Sequence, residues 1–221
     1  MAEPRLASIP ATVWRVGRAS APLRFSEISP DDSLSIHGGN RFDVPGGRVL
    51  YAATEPDGAY AETLARFRPT ARMRRIRPQS DEHLMAVGSV PADWRERRRI
   101  VSFGLHDPLP FLDVDAPATH TYLTRMLPAA LEDLGLGNLD ISDLRGRDRR
   151  LTRLVALFAF TARDEADGYA FAGIRYESRL GPHECWAVFD PAEIVRDEVR
   201  AIRRDDRDLQ AVARRFDLTI H

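Results

Sequence analysis

Short apolar segments, bounded by glycine, proline and polar residues, recur along the chain and predict β-strands. The predicted strands are 12–16, 49–52, 100–103, 110–114, 174–176 and 185–189. In other segments apolar residues recur every three to four positions, which predicts helices. The predicted helices are 57–67, 119–134, 148–164 and 208–216. The predicted helix at 148–164 is apolar on most faces, so we expect it to be buried. This irregular succession predicts an α+β fold.

Nothing in the pattern divides the chain. Its 221 residues contain no internal repeat, low-complexity linker or change in composition. We therefore expect a single domain over residues 1–221, closed by the C-terminal helix.

All 32 basic residues are arginines. The absence of lysine excludes Schiff-base chemistry and a P-loop lysine, and leaves arginine for binding anions. Arginine clusters at 66–77, 95–99 and 145–153 could indicate nucleic-acid binding, but acidic residues offset them to a net charge of -1. We interpret them as solvated surface and predict no nucleic-acid partner.

No segment approaches the roughly 20 consecutive apolar residues of a membrane span, so we expect no membrane role. The first ten residues lack the basic start and apolar run of a secretory signal, and Cys185 is the only cysteine. An internal disulfide is therefore excluded, and we expect a cytoplasmic protein.

Metal and thiol chemistry have little support in the sequence. The six histidines show no H-x-x-x-H pairing, and His183 with Cys185 supplies fewer ligands than zinc needs. We predict no metal. In the strand C-W-A-V-F, alternation places Cys185 on one face with Ala187 and Phe189, which indicates a buried, unreactive thiol.

Two blocks contain the candidate chemistry. The first, G-G-N-R-F-D-V-P-G-G-R-V-L-Y at 38–51, includes Arg41 between glycines and Tyr51 at the end of a predicted strand. Glu62 follows on the next predicted helix, eleven residues after Tyr51. The second block, G-I-R-Y-E-S-R at 173–179, includes Ser178.

These blocks resemble the RES-domain family, which is named for an arginine, a glutamate and a serine and also has a characteristic tyrosine. The resemblance implies an ADP-ribosyltransferase-like mixed sheet core with flanking helices. It also implies a toxin that degrades NAD and is held inactive by an antitoxin partner of the Xre type. The core would span about 12–190, and the long interval between Glu62 and Ser178 implies an extended middle region at about 68–150.

The candidate residues suit this chemistry. Arg41 can form paired hydrogen bonds to a phosphate while glycines let the backbone come close. Tyr51 offers a flat face and a hydroxyl to the nicotinamide or its ribose. Glu62 can hold a ribose hydroxyl and stabilise the oxocarbenium-like transition state of glycosidic cleavage. Ser178 would orient Glu62 or donate to a phosphate or ribose, and Arg15 would be a second phosphate contact.

Each residue also has a simpler structural explanation. Glu62 and Arg66 are spaced as a surface i,i+4 ion pair. Taken alone, Arg41 would be explained as a solvated turn residue and Tyr51 as an aromatic residue of the core. Ser178 would be explained as a hydrogen-bonding residue at a strand end, and Arg15 as a surface residue. The register of Arg41, Tyr51 and Glu62 favours the functional interpretation.

The leading hypothesis is therefore an NAD glycohydrolase or NAD phosphorylase that releases nicotinamide, with water or inorganic phosphate as acceptor. The sequence leaves the acceptor open. Alternatives are an ADP-ribosyltransferase acting on a macromolecule and a non-catalytic nucleotide-binding or interaction module.

Overall fold

The computed structural model of the protein describes residues 3–75 and 86–221. Its strands are β1 (Leu6–Ala7), β2 (Val13–Arg18), β3 (Ser26–Glu27), β4 (Arg48–Ala53), β5 (Ser89–Val90), β6 (Arg98–Leu105), β7 (Phe111–Asp113), β8 (Gly173–Glu177), β9 (Glu184–Phe189), β10 (Ile194–Ala201) and β11 (Thr219–Ile220). Its helices are α1 (Pro30–Leu34), α2 (Pro56–Leu64), α3 (Ala71–Arg75), α4 (Ala92–Glu96), α5 (Pro117–Met126), α6 (Pro128–Asp133), α7 (Ile141–Leu144), α8 (Arg149–Thr161) and α9 (Arg207–Phe216). A 3₁₀ turn, Ala65–Phe67, follows α2.

Most strands form one sheet in the order β1-β7-β8-β9-β4-β2-β6-β10, with β3 paired to β4. In this sheet β7 and β8 run parallel and the other neighbours antiparallel. Alternate residues of β4 belong to different apolar clusters, Val49 to the larger and Leu50 to the smaller, so both faces of the sheet are covered. The predicted α+β class, a mixed sheet with flanking helices, is confirmed.

The sheet opens between β2 and β4. These strands are neighbours, but they share a single residue pair, Trp14 with Ala53. On their far sides, β2 pairs with β6 from Val13 to Arg18, and β4 pairs with β9 from Val49 onward. Helix α2 packs against both strands. The strands on either side of the opening are therefore each fixed by a neighbouring strand, and α2 lies along the opening.

The predicted strands are all confirmed, with bounds that shift by one or two residues. The single helix predicted over 119–134 is wrong, because α5 ends at Met126 and α6 begins at Pro128. Proline has no N–H to donate within a continuous helix, but it is well tolerated at a helix start.

The sequence analysis missed β10. This strand is rich in charged residues, and its register against β6 shifts between Arg196 and Glu198. Such a bulge interrupts the alternation from which a strand is predicted.

The prediction that the helix at 148–164 is buried is confirmed for most of its surface. Helix α8 buries residues that include Leu151, Val155 and Ala159, and it is exposed along a narrow strip that includes Leu157, which is 36% exposed. None of the helices in the described ranges is long and apolar enough to cross a membrane.

The middle region at 68–150 contributes to the centre of the fold. It supplies β6, which joins β2 to β10, and β7, which joins β1 to β8. Helices α4 to α7 also come from this region. Its residues 76–85 lie outside the described part of the chain.

Arg153 on the buried face of α8 fixes the segment before the glycine-rich block. Its Nη1 donates to the carbonyl oxygens of Asp32 at 3.1 Å and Gly38 at 2.9 Å, and its Nη2 donates to that of Ser35. The Arg153 side chain is buried, so its guanidinium depends on these carbonyls rather than on water for its hydrogen bonds.

We expect Arg153→Met to lower the free energy of unfolding by about 3 kcal/mol, because it removes the charged donor that binds three backbone carbonyl oxygens. Urea denaturation would measure this. Arg150→Met, on the exposed face of the same helix where Arg150 pairs with Asp148, should change the midpoint little. Equal midpoints for the two variants would contradict the role of Arg153.

Candidate active site

A cleft of about 420 Å³ occupies the opening between β2 and β4. Its walls come from these strands, from α2, from the glycine-rich block and from the end of β8. Four of the predicted residues, Arg15, Arg41, Tyr51 and Glu62, line this one cleft. Ser178, the fifth, lies behind Glu62 and is buried. The structure therefore brings the predicted residues together.

Arg41 lies between two aromatic rings. Its guanidinium carbon is 5.1 Å from the centre of the Phe42 ring and 5.3 Å from that of Tyr176. Nη2 donates to the carbonyl oxygen of Leu144 at 2.7 Å, and Nε is buried without a partner among the described residues. Burial lowers the pKa of Arg41. The terminal nitrogens, rather than Nε, are therefore the ones that can contact a phosphate.

Tyr51 uses its hydroxyl inside the protein. The hydroxyl donates to Oδ1 of Asp43 at 2.8 Å and accepts from the backbone N–H of Phe42 at 3.2 Å. Asp43 is buried and also accepts from the backbone N–H of Asn40 at 2.6 Å. Burial, followed by the charge of Asp43, raises the pKa of Tyr51 well above its ordinary value. The ring of Tyr51 thus faces the cleft, while its hydroxyl shapes the glycine-rich block.

Gly39 is required in that block. Its φ of +61° lies in the left-handed region, and a Cβ there would be 2.7 Å from Oδ2 of Asp43. Any side chain would therefore displace the carboxylate that holds Tyr51.

Glu62 is held by Ser178. The Ser178 hydroxyl donates to Oε1 of Glu62 at 2.5 Å and accepts from the backbone N–H of Leu180 at 3.0 Å. Arg66 does not form the alternative ion pair with Glu62, since its guanidinium lies over the ring of Phe67 at 4.8 Å. Oε2 of Glu62 remains for a ligand in the cleft.

Arg15 is half-buried, so it is not the surface residue of the alternative, and it spans the opening. Its Nε donates to the carbonyl oxygen of Pro22 at 3.0 Å, and its Nη1 donates to that of Tyr51 at 2.7 Å. Nη2 is 3.5 Å from the carbonyl oxygen of Arg24. Burial lowers the pKa of Arg15 to about 10. Most of its donors are therefore already used by the backbone.

Sequence analysis did not identify Arg149 and Arg179 as cleft residues. Arg149 Nη1 donates to the carbonyl oxygen of Gly39, and Arg179 Nη1 donates to that of Gly146 at 3.0 Å. Both lie in arginine-rich or polar segments that resemble solvated surface. Arg179 could have been found from its position directly after Ser178, whereas nothing near Arg149 in the sequence marked it as a cleft residue.

The four cleft arginines share one property. Arg15, Arg41, Arg149 and Arg179 are all anchored by backbone carbonyl oxygens. Within the described ranges, none of them has a carboxylate within 4.0 Å, whereas Arg48, Arg145 and Arg175 elsewhere do. Neutral anchors fix the geometry of a guanidinium without cancelling its charge, so the cleft suits an anionic ligand.

Cys185 is buried in β9, as predicted, and burial raises the pKa of its thiol. The described residues contain no group of three or more histidine, cysteine, aspartate or glutamate side chains arranged to hold a metal ion.

Comparison with known proteins gives a family match. Residues 12–211 match the model of the RES domain. No curated protein matches the chain. Among solved structures, the chain is similar to one in the M. tuberculosis MbcT-MbcA toxin-antitoxin complex, with 14% identity, a TM-score of 0.48 and coverage of 96% of this chain and 90% of that chain.

Proposed function

The chain belongs to the RES-domain family, and from that membership and the geometry of its cleft we propose that it consumes NAD by cleaving the bond between ribose and nicotinamide. In this proposal it is the toxin of a toxin-antitoxin system. Inorganic phosphate or water is the acceptor, and the enzyme is accordingly an NAD phosphorylase or an NAD glycohydrolase.

The observation that supports an NAD-like substrate most strongly is the uncompensated positive charge of the cleft. Arg41, Arg149 and Arg179 line the cleft with free guanidinium hydrogens, and Glu62 is the carboxylate that lines it. A diphosphate supplies the missing negative charge and accepts several hydrogen bonds at once. Arg15 would add charge near Tyr51, although its backbone contacts leave it few donors.

Glu62 is suited to act on the glycosidic bond. When that bond breaks, its electron pair stays on the nicotinamide nitrogen, and positive charge builds up on the ribose. The Glu62 carboxylate, fixed through Oε1 by Ser178, can hold a ribose hydroxyl with Oε2 and stabilise that charge. The acceptor then bonds to the anomeric carbon through an oxygen, and water loses a proton in this step.

Aromatic surfaces in the cleft can orient the nicotinamide end. The Tyr51 ring and the Trp14 side chain both line the cleft near the opening between β2 and β4. A planar ring packed against them would be held in one orientation relative to Glu62, which lowers the entropic cost of reaching the transition state.

An antitoxin of the Xre type is the partner that we propose, and the cytoplasm is the compartment in which NAD would be consumed. The support for both is the membership in the RES-domain family together with the sequence expectations above.

We expect purified protein to release nicotinamide from NAD, and we expect Glu62→Gln to abolish that release because the amide cannot stabilise developing positive charge. Nicotinamide would be measured by chromatography, with and without inorganic phosphate, which separates the two acceptors. Circular dichroism would check that the variant folds. Absence of nicotinamide under both conditions would overturn the proposal. ADP-ribose found on a macromolecule would favour transfer, and NAD binding without turnover would favour a non-catalytic module.

The arginines of the cleft allow a second test. Arg149→Gln and Arg179→Gln should each raise KM for NAD about tenfold, because one charged hydrogen bond contributes about 1.5 kcal/mol, and should change kcat less. Arg150→Gln is the matched control, since Arg150 follows Arg149 but pairs with Asp148. Steady-state kinetics would measure this. A KM equal to that of the control would show that these arginines do not bind the diphosphate.

A further inference from the structure

The ring of His183 lies between α2, which holds Glu62, and the C-terminal helix α9. It is buried, and its Nε2 is 2.7 Å from Nη2 of Arg215 on α9. Its Nδ1 is 3.4 Å from Oδ1 of Asp57 on α2. The ring therefore contacts two helices that pack against each other.

The partners of the ring determine where its proton lies. A guanidinium has only donors, so Arg215 donates and Nε2 of His183 must accept with its lone pair. In the neutral ring the proton is then on Nδ1, which faces the carboxylate of Asp57. A protonated ring would turn an N–H toward Arg215 and lose this hydrogen bond.

The backbone of His183 is joined to Ser178. The N–H of Ser178 donates to the carbonyl oxygen of His183 at 2.8 Å, and the N–H of His183 donates to that of Gly181, also at 2.8 Å. A Cβ on Gly181 would be 2.9 Å from Nε2 of His183, so the turn packs closely on the ring. On the other side, Gly58 of α2 leaves room for His183. A Cβ added at Gly58 would be 3.2 Å from the Cβ of His183.

We propose that His183 is a positioning residue for the reaction: by accepting from Arg215 of α9 while its Nδ1 faces Asp57 of α2, its ring fixes the turn 178–183 against these two helices, so that the Ser178 hydroxyl points at Glu62. This inference rests on the proposed function of Glu62. Displacement of the ring moves the turn, and a small error in the placement of Ser178 leaves the carboxylate of Glu62 free to rotate away from the ribose.

The position of His183 makes this arrangement sensitive to acid. The charged groups that act on the ring are Asp57 and Glu62 from α2 and Arg215 from α9. Burial lowers the pKa of His183 below its ordinary value of 6.5, while Asp57 raises it and Arg215 lowers it. The neutral ring thus persists at neutral pH. As the pH falls through the lowered pKa, the ring is protonated and the contact with Arg215 is lost.

Two substitutions distinguish the hydrogen bond that Nε2 of His183 accepts from the effect of side-chain size. His183→Gln places an amide oxygen near the Nε2 position, where it can accept from Arg215, whereas the shorter Asn in His183→Asn cannot reach. We expect His183→Asn to lower kcat for nicotinamide release about tenfold to hundredfold with KM nearly unchanged, as for other small misplacements of reacting groups. His183→Gln should keep most of the activity, and the acid limb of its kcat–pH profile should lose the contribution of the His183 ring. His106→Gln, an exposed histidine elsewhere, is the control.

A readout independent of activity keeps this proposal separate from the proposed function. Nitrogen-15 NMR of the histidine rings should show His183 with an unprotonated Nε2 at pH 7, and Arg215→Met should shift that resonance. If wild-type protein released no nicotinamide, the proposed function would fail while this test still applied. A protonated Nε2, or equal kcat losses for the Gln and Asn variants, would overturn the positioning role of His183.

Discussion

The opening between β2 and β4 is the constraint on which the site depends. A continuous ladder between these strands would satisfy their backbone groups and close the cleft, yet only Trp14 and Ala53 pair. The guanidinium of Arg15 instead donates to the carbonyl oxygen of Tyr51 within the gap. Because β6 and β9 pair with the outer sides of the two strands, the gap removes few hydrogen bonds from the sheet. Helix α2 can therefore place Glu62 along the gap.

The same use of backbone acceptors sets the charge of the cleft. Carbonyl oxygens hold Arg41, Arg149 and Arg179 in place, so their positive charge is left for a ligand. A carboxylate partner would have fixed them equally well and cancelled that charge. Glu62 is held by a neutral hydroxyl in a similar way, so its negative charge is not cancelled by its partner.

Much of the site could be predicted from the chain because Arg41, Tyr51 and Glu62 are close in sequence, on a loop, a strand and a helix in succession. The family motif pointed to Ser178, and its contact with Glu62 was one of the two roles expected for it. The place of Arg149 in the cleft could not be predicted, because α8 brings this residue to Gly39 from a distant part of the chain. Local pattern also gave no indication that Asp43 would bind the hydroxyl of Tyr51, since that contact depends on the fold of the whole glycine-rich block.

A crystal structure of the Glu62→Gln protein with NAD bound would test the proposed site directly. We expect a diphosphate in contact with the guanidinium groups of Arg41, Arg149 and Arg179, and the anomeric carbon of the nicotinamide ribose beside residue 62. A dinucleotide bound outside the cleft, or bound in the opposite direction with the adenine ribose beside residue 62, would contradict it.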